Sequence, residues 1–525
     1  MKRFGDNRPA WTGYGVAALV LLLTLTPLGA LFSGTSSLSS LAIWQDPWVM
    51  RSLQFSLWQA GLSTLISVAP AVVVARAFAR HPVFPGRRLL LAMFGLPLVV
   101  PAIVAVLGVI SVFGASGWLP LGRGLYGLGG ILIAHVFFNL PLATRLLLPS
   151  LERIPTAQWR LADQFGFNQW QRWRLIEWPA LRASLWGTTL LVFMLCLTSF
   201  AVVLSLGGGP RSTTLEVAIY QSLRFDFDPG RAALLALLQL SLCAALAVVL
   251  AMASGRYATE SDLRLRPTDR TGDNIPGSGV DVMVVAASGL FVGAILLAII
   301  IDGLAGPVLE VISEPRFWQA AGISLFIALC ASLLSLALGW TIVRGAALEA
   351  WRGRERMAHL LETIGMMVYI VPPLVLGTGL FLLFIGTLPV DRLTLPVVIG
   401  VNTLMGLPFV VRSLQSAVRQ RTAEYELLCQ SLGIRGINRL GRVDLPLLRR
   451  QLGLAAALTA ALGFGDLGVI TLFSSGEFVT LPLLLYQRLS SYQVPEASVL
   501  ALLLLGACLC LFVLIERLLG GPRHA

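Results

Sequence analysis

Hydrophobic runs long enough to cross a bilayer as helices recur along the whole chain, with short polar stretches between them. They lie at about 12–33, 54–79, 89–114, 127–149, 186–206 and 231–253, then at 282–304, 319–345, 362–386, 393–414, 453–473 and 497–518. A spanning helix needs roughly 20 predominantly apolar residues, so the pattern predicts an all-α membrane protein with twelve transmembrane helices in two sets of six. Between the sets, Gly255 to Asp281 is polar, rich in Arg, Asp, Thr, Gly and Pro, and offers nothing from which to build a core. The expected organisation is a first half at 1–254, a linker at 255–281 and a second half at 282–525.

The halves repeat one another. Near an offset of 268, Pro47, Ser56, Leu57, Ser67 and Arg76 meet Pro315, Ser324, Leu325, Ser335 and Arg344. Near 267, Leu140, Pro141 and Arg145 meet Leu407, Pro408 and Arg412; near 266, Tyr220, Gln221 and Pro229 meet Tyr486, Gln487 and Pro495. The strongest repeat sits in two arginine-rich segments. Gly166 is followed after nine residues by Ile176-Glu177-Trp178-Pro179, and Gly433 after nine by Val443-Asp444-Leu445-Pro446. Each glycine follows a helix-compatible stretch, Thr156 to Phe165 or Thr422 to Leu432, and suits the left-handed position that ends a helix. A second short helix then reaches a proline, where the chain is expected to turn back into the membrane. The product is a pair of bent helical elbows projecting from the bilayer.

Composition agrees with a membrane solvent: 56% of the 525 residues are hydrophobic and 13% charged, and the mean hydropathy is +0.80. The formal charge of +12 reports topology and not a nucleic-acid partner. With a cytoplasmic N-terminus, 31 of the 39 Lys and Arg fall on the cytoplasmic side, the bias found in inner-membrane proteins. Both elbows then face the cytoplasm, and so do both chain termini. The first apolar run is longer than a signal-peptide core and reads as a retained anchor. The six cysteines lie almost all within apolar runs, form no CxxC pair and read as packing residues. The four histidines, His81, His135, His359 and His524, are scattered, so no metal site, cofactor or catalytic centre is expected.

The elbow residues resemble those of the inner-membrane permeases of binding-protein-dependent ABC importers, whose cytoplasmic loop reads Glu-Ala-Ala, three residues, Gly, nine residues, Ile, any residue, Leu-Pro. The glycine and the Ile-x-Leu-Pro end match; the Glu-Ala-Ala positions hold Arg160-Leu161-Ala162 and Leu427-Leu428-Cys429, although Glu426 stands one residue away. Fused permeases of this family have about this length and a six-plus-six, type I architecture. The segments from Leu204 to Leu223 and from Asp226 to Gln239 look most like those of the thiamine and thiamine pyrophosphate import permeases; ferric-iron permeases are the nearest rival.

The resemblance implies two ATPase subunits on the cytoplasmic side, docked at Arg160, Leu161, Ala162, Gly166, Ile176 and Pro179 and at Leu427, Leu428, Cys429, Gly433, Val443 and Pro446. It also implies a periplasmic substrate-binding protein, received by the outer segments Gly207–Gly230 and Ser474–Glu496. The sole lysine, Lys2, belongs to no P-loop, so ATP is expected to be hydrolysed elsewhere. A proton-coupled secondary transporter is the rival from another class, but ionisable residues within the spans are scarce. The main one is Asp466, which either lines a translocation path with His135 and Asn402 or is a helix-end carboxylate held by backbone donors near Gly465 and Gly468.

Overall fold

The structure, a computed structural model, describes residues 8–34, 46–209, 212–254, 278–384, 390–474 and 478–520. Most of the linker, 255–277, and the charged residues Arg211 and Glu477 of the outer segments lie outside the described residues. The chain is an all-helical membrane protein, and no strand occurs among the described residues. Nine of the described helices are long and apolar enough to cross a membrane, and three bent pairs bring the number to twelve when each is taken as one span.

Three spans depart from the straight rods expected, the pair Gln169–Arg182 and Ser184–Leu197 by 54° and two others more sharply. The run at 89–114 forms Arg87–Leu98 and Ala102–Phe113 with a bend of 116°, and the run at 362–386 forms Glu355–Ile370 and Pro373–Phe384 with a bend of 87°. Proline explains both breaks. Pro101 caps the second segment of the first pair, and Pro372 follows Val371, which is extended at φ −89° and ψ 115° as steric pressure from a following proline ring demands.

By contacts the chain divides into two compact units that do not coincide with the sequence halves. One comprises Met1–Ala42, Ala218–Leu240 and Gly303–Ala525; the other Ile43–Val217 and Ser241–Asp302. In the first unit the helix Arg8–Gly34 packs on the second-half helices Pro315–Trp351 and Pro373–Phe384. The approach is close enough that a Cβ on Gly379 would sit 2.3 Å from the carbonyl oxygen of Pro27. In the other unit the helix Ser278–Ala305 covers the Ala102–Phe113 segment, where a Cβ on Gly108 would meet Ile295 and Ile299 at 2.8 Å. Small residues thus let backbones approach where lipid supplies no hydrophobic drive between helices. Each half lends its first helix to the unit built on the other. Asp281, which the sequence reading assigns to the linker, belongs to the first turn of Ser278–Ala305, where it pairs with Arg80 at 3.5 Å and His81 at 3.3 Å.

Candidate functional site: the paired elbows

In the first half the helix Leu128–Glu152 ends before Pro155, and a separate helix, Thr156–Gln164, makes the first arm of the elbow. In the second half no such break exists: one helix runs from Val390 to Ser431 and carries the arm as its last turns. The residue at the position of Pro155 is Thr422, whose hydroxyl accepts a hydrogen bond from Arg344 Nη1 at 2.7 Å. A proline breaks one helix and a threonine lets the other continue.

Both arms end alike. Gly166 has φ 65° and Gly433 φ 67°, the left-handed conformation that costs an L-residue with a side chain roughly 1–2 kcal/mol. Around each glycine two bonds close the helix: Gly166 N to Asp163 O (3.1 Å) with Phe167 N to Ala162 O (2.9 Å), and Gly433 N to Gln430 O (3.2 Å) with Ile434 N to Cys429 O (2.9 Å). This is the paired 5→2 and 6→1 closure of a Schellman end. Space around both glycines is open, so backbone geometry alone selects them.

The second arms, Gln169–Arg172 and Gly436–Arg439, do not stop at the prolines as expected. Each widens into one π-helical turn, Trp173–Glu177 or Leu440–Asp444, and continues as Trp178–Leu197 or Leu445–Phe464. Trp178 N reaches Trp173 O and Leu445 N reaches Leu440 O, five residues back. Pro179 and Pro446 follow at once; lacking an N–H and bulky toward the preceding turn, they favour such a local readjustment over a regular α-turn.

The elbows have a wet face and an inner face. Arg160, Leu161, Gly166 and Pro179, with Leu427, Leu428, Gly433 and Pro446, are exposed, whereas Ala162, Ile176 and Cys429 are buried and Val443 is half-buried. Large apolar side chains stand in solvent at matched positions: Leu161 and Leu428, then Phe165 (73% exposed) and Leu432 (64%) one turn later. The exposed apolar strip thus recurs at the same positions in both halves.

The inner faces carry charge that sequence reasoning left without a role. Arg172 reaches back across its elbow to Asp163 at 2.8 Å, and Arg439, at the matching position, reaches Glu426 at 2.8 Å. Glu426 is buried; its Oε2 also accepts from Arg344 Nη2 at 2.8 Å, and Gln430 donates to Oε1 at 3.1 Å. Arg439 continues to Asp444 at 3.6 Å. In the first half Glu177, at the position of Asp444, is held by Arg76 Nε and by Arg80 Nε at 3.6 Å. The Arg76 guanidinium also lies 4.8 Å over the ring of Trp173. The signal was there: Arg76 and Arg344 repeat, and Glu177 and Asp444 sit inside the duplicated signature.

Asp466 and Asn402 come together: Asn402 Nδ2 donates to Asp466 Oδ2 at 3.3 Å, and Gly468 N donates to Oδ1 at 3.0 Å, in the break between Leu445–Phe464 and Gly468–Phe473. His135 belongs to the other unit, where it is buried with its Nδ1 2.8 Å from Ser63 Oγ. In the outer segments of the sequence, Leu215–Arg224 and Leu481–Ser490 form matched short helices, and Ser56 Oγ accepts from Leu215 N (2.9 Å) as Ser324 Oγ accepts from Leu481 N (2.8 Å). Glu216, in the outer segment Gly207–Gly230, is buried. Phe227 and Tyr492, 80% and 91% exposed, take left-handed conformations at the turns that follow.

The family described as "Binding-protein-dependent transport system inner membrane component" matches residues 71–258, a stretch that contains the first elbow, Arg76 and Glu177. The thiamine transport system permease protein ThiP of Escherichia coli (strain K12) is 42% identical over 525 residues, 98% of this chain and 97% of that one. The chain belongs to this permease family. The proteins of the same name from Brucella abortus (strain 2308) and Haemophilus influenzae are 42% and 37% identical, covering 91% and 96% of this permease and 90% and 95% of their own lengths. As a member it is a multi-pass transport permease of the inner membrane.

Proposed function

We propose that this permease is the membrane-spanning subunit of an ATP-driven importer that carries thiamine or thiamine pyrophosphate from a periplasmic binding protein to the cytoplasm. The observation that carries this reading is the pair of matched elbows with exposed apolar strips, taken together with near full-length likeness to thiamine permeases. Two elbows call for two ATPase subunits, one each, at the docking residues given above. The chain is not itself an enzyme: with Lys2 as its sole lysine it has no P-loop, and hydrolysis belongs to the partners. Both termini and the 255–281 linker are cytoplasmic, joining homologous halves at 1–254 and 282–525.

On the outer side, Phe227 and Tyr492 present aromatic tips suited to a transient protein contact, and Arg488, close to Tyr492 in sequence, is fixed between Glu314 (2.6 Å) and Glu496 (2.7 Å). Asp466 with Asn402, and His135 in the other unit, are the polar groups we assign to the path; a carboxylate there suits a cationic cargo. The deciding experiment is uptake by proteoliposomes holding the permease, its ATPases and its binding protein, comparing labelled thiamine with ferric iron. Thiamine accumulation that needs internal-side ATP and survives a protonophore is expected. Accumulation of iron alone would move the reading to the ferric-iron permeases, and uptake driven by a proton gradient without ATP would overturn it.

A further inference from the structure

Each half contains one long helix tied near both ends to another element. In the first half the helix Pro47–Arg80 accepts Leu215 N on Ser56 and grips Glu177 with Arg76; in the second, Pro315–Trp351 accepts Leu481 N on Ser324 and grips Glu426 with Arg344. Both ties lie within one compact unit. The spacing between them is the same: Ser56 to Arg76 and Ser324 to Arg344 are each 20 residues, about 30 Å of α-helix at 1.5 Å per residue. Three of the four anchoring contacts are shielded on both sides; at the fourth, Arg76 keeps 24% exposure beside the buried Glu177. Ser56 and Ser324 are buried, as are Glu177, Glu426 and Arg344.

We propose that these two helices are the transmission rods of the permease, with Arg76 and Arg344 as the positioning residues that convert elbow movement into movement of the outer short helices. The inference rests on the elbows being the ATPase-docking sites. A regular helix is stiff along its axis, and a guanidinium–carboxylate pair with its carboxylate buried resists separation because the carboxylate finds no water when the guanidinium leaves. The elbow therefore cannot shift without drawing on the inner end of the rod. At the outer end, the serine hydroxyl binds the first turn of Leu215–Arg224 or Leu481–Ser490, the segment on the binding-protein side. It is the π-helical turn that brings Glu177 and Asp444 inward, and Glu426 completes the grip in the second half through Arg439.

The grips differ in construction. Arg76 meets the second arm of its elbow directly, while Arg344 meets the first arm and reaches Asp444 only through Glu426 and Arg439. Losing Arg344 therefore leaves two acidic groups on a single arginine, and should harm coupling more than losing Arg76.

The test uses the complete complex in proteoliposomes with Arg76→Gln, Arg344→Gln, Ser56→Ala and the exchange variant Arg76→Glu with Glu177→Arg. Three quantities are read for each: ATPase co-purification, binding-protein-stimulated ATP hydrolysis and thiamine taken up per ATP hydrolysed. The arginine variants should keep ATPase association within twofold while uptake per ATP falls at least fivefold. Ser56→Ala should show the same split, because it cuts the rod at the far end without touching an elbow. The exchange variant, made together with Arg80→Gln so that the new arginine meets no second guanidinium, should recover at least half of the lost coupling. Unchanged uptake per ATP, or uptake that falls only in proportion to the amount of assembled complex, overturns the proposal. Failure of the unaltered permease to bind its ATPases sinks the docking reading itself, and the rods with it.

Discussion

At the scale of single residues, Gly166 and Gly433 were legible in the sequence because only backbone chemistry was needed: a glycine after a short helix, twice, at the same distance from a proline. Their φ values of 65° and 67° make the consequence specific. Gly166→Val and Gly433→Val should each impose on the order of 1–2 kcal/mol of local strain, far too little to unfold a packed bundle. Inserted protein measured on membranes should stay near normal while ATPase pull-down weakens, most in the double variant; normal pull-down by the double variant would remove the elbows' role. The burial of Glu216 was not legible, because sequence shows a charge and not its surroundings. Burial pushes its carboxyl from 4.5 up to about 8. The folded state therefore holds the proton more tightly than the unfolded one, and the stability this contributes is complete below about pH 4.5 and lost as pH rises toward 8. The slope is about 1.4 kcal/mol per pH unit in that window. Glu216→Gln should flatten the fall in apparent melting temperature of the purified permease between pH 5 and 8, and an unchanged slope would show that another group dominates.

At the scale of elements, hydropathy located nearly every span but said nothing about their straightness. The sequence contains Pro101 and the Pro372-Pro373 pair as plainly as Pro70 or Pro408, yet the former break their helices by 116° and 87° and the latter lie inside continuous ones. Packing decides which proline bends a membrane helix, because neighbouring helices can resatisfy the freed carbonyl. The inner-face ion pairs were hidden for a similar reason: their partners lie 101 and 82 residues apart in the chain. One element difference does trace to a single residue. Thr422→Pro should unwind the turn before it in the Val390–Ser431 helix, at a cost of about 3 kcal/mol, and remove a partner of Arg344. Limited trypsin digestion should then cut after Arg419, a site that the continuous helix protects; an unchanged digestion pattern would mean that the second elbow is held by its ion pairs alone.

At the scale of the whole molecule, the repeat predicted two halves, and periodicity alone could not reveal that their first helices are exchanged. Because Arg8–Gly34 belongs with the second-half helices and Ser278–Ala305 with those of the first, a chain cut inside the linker should hold together without it. Fragments 1–266 and 267–525, co-expressed with a tag on one, should co-purify and retain uptake; separation in mild detergent would overturn this. Reporter enzymes fused after Ala258 and within Gly207–Pro210 should read cytoplasmic and periplasmic, and the opposite pattern would invert the topology. The exchange also sets a schedule during synthesis. Arg8–Gly34 is made long before its main packing partners, which begin at Pro315, although its end Gly34 also approaches Ala233. At roughly 5–20 residues per second, the first helix waits on the order of 15–60 seconds for them. Over that interval it must survive alone in lipid, which accounts for its chemistry: its buried Thr24 hydroxyl bonds to its own Val20 carbonyl at 2.7 Å and asks nothing of a neighbour. Nascent permease stalled before residue 315 should therefore be the stage most exposed to membrane quality-control proteases.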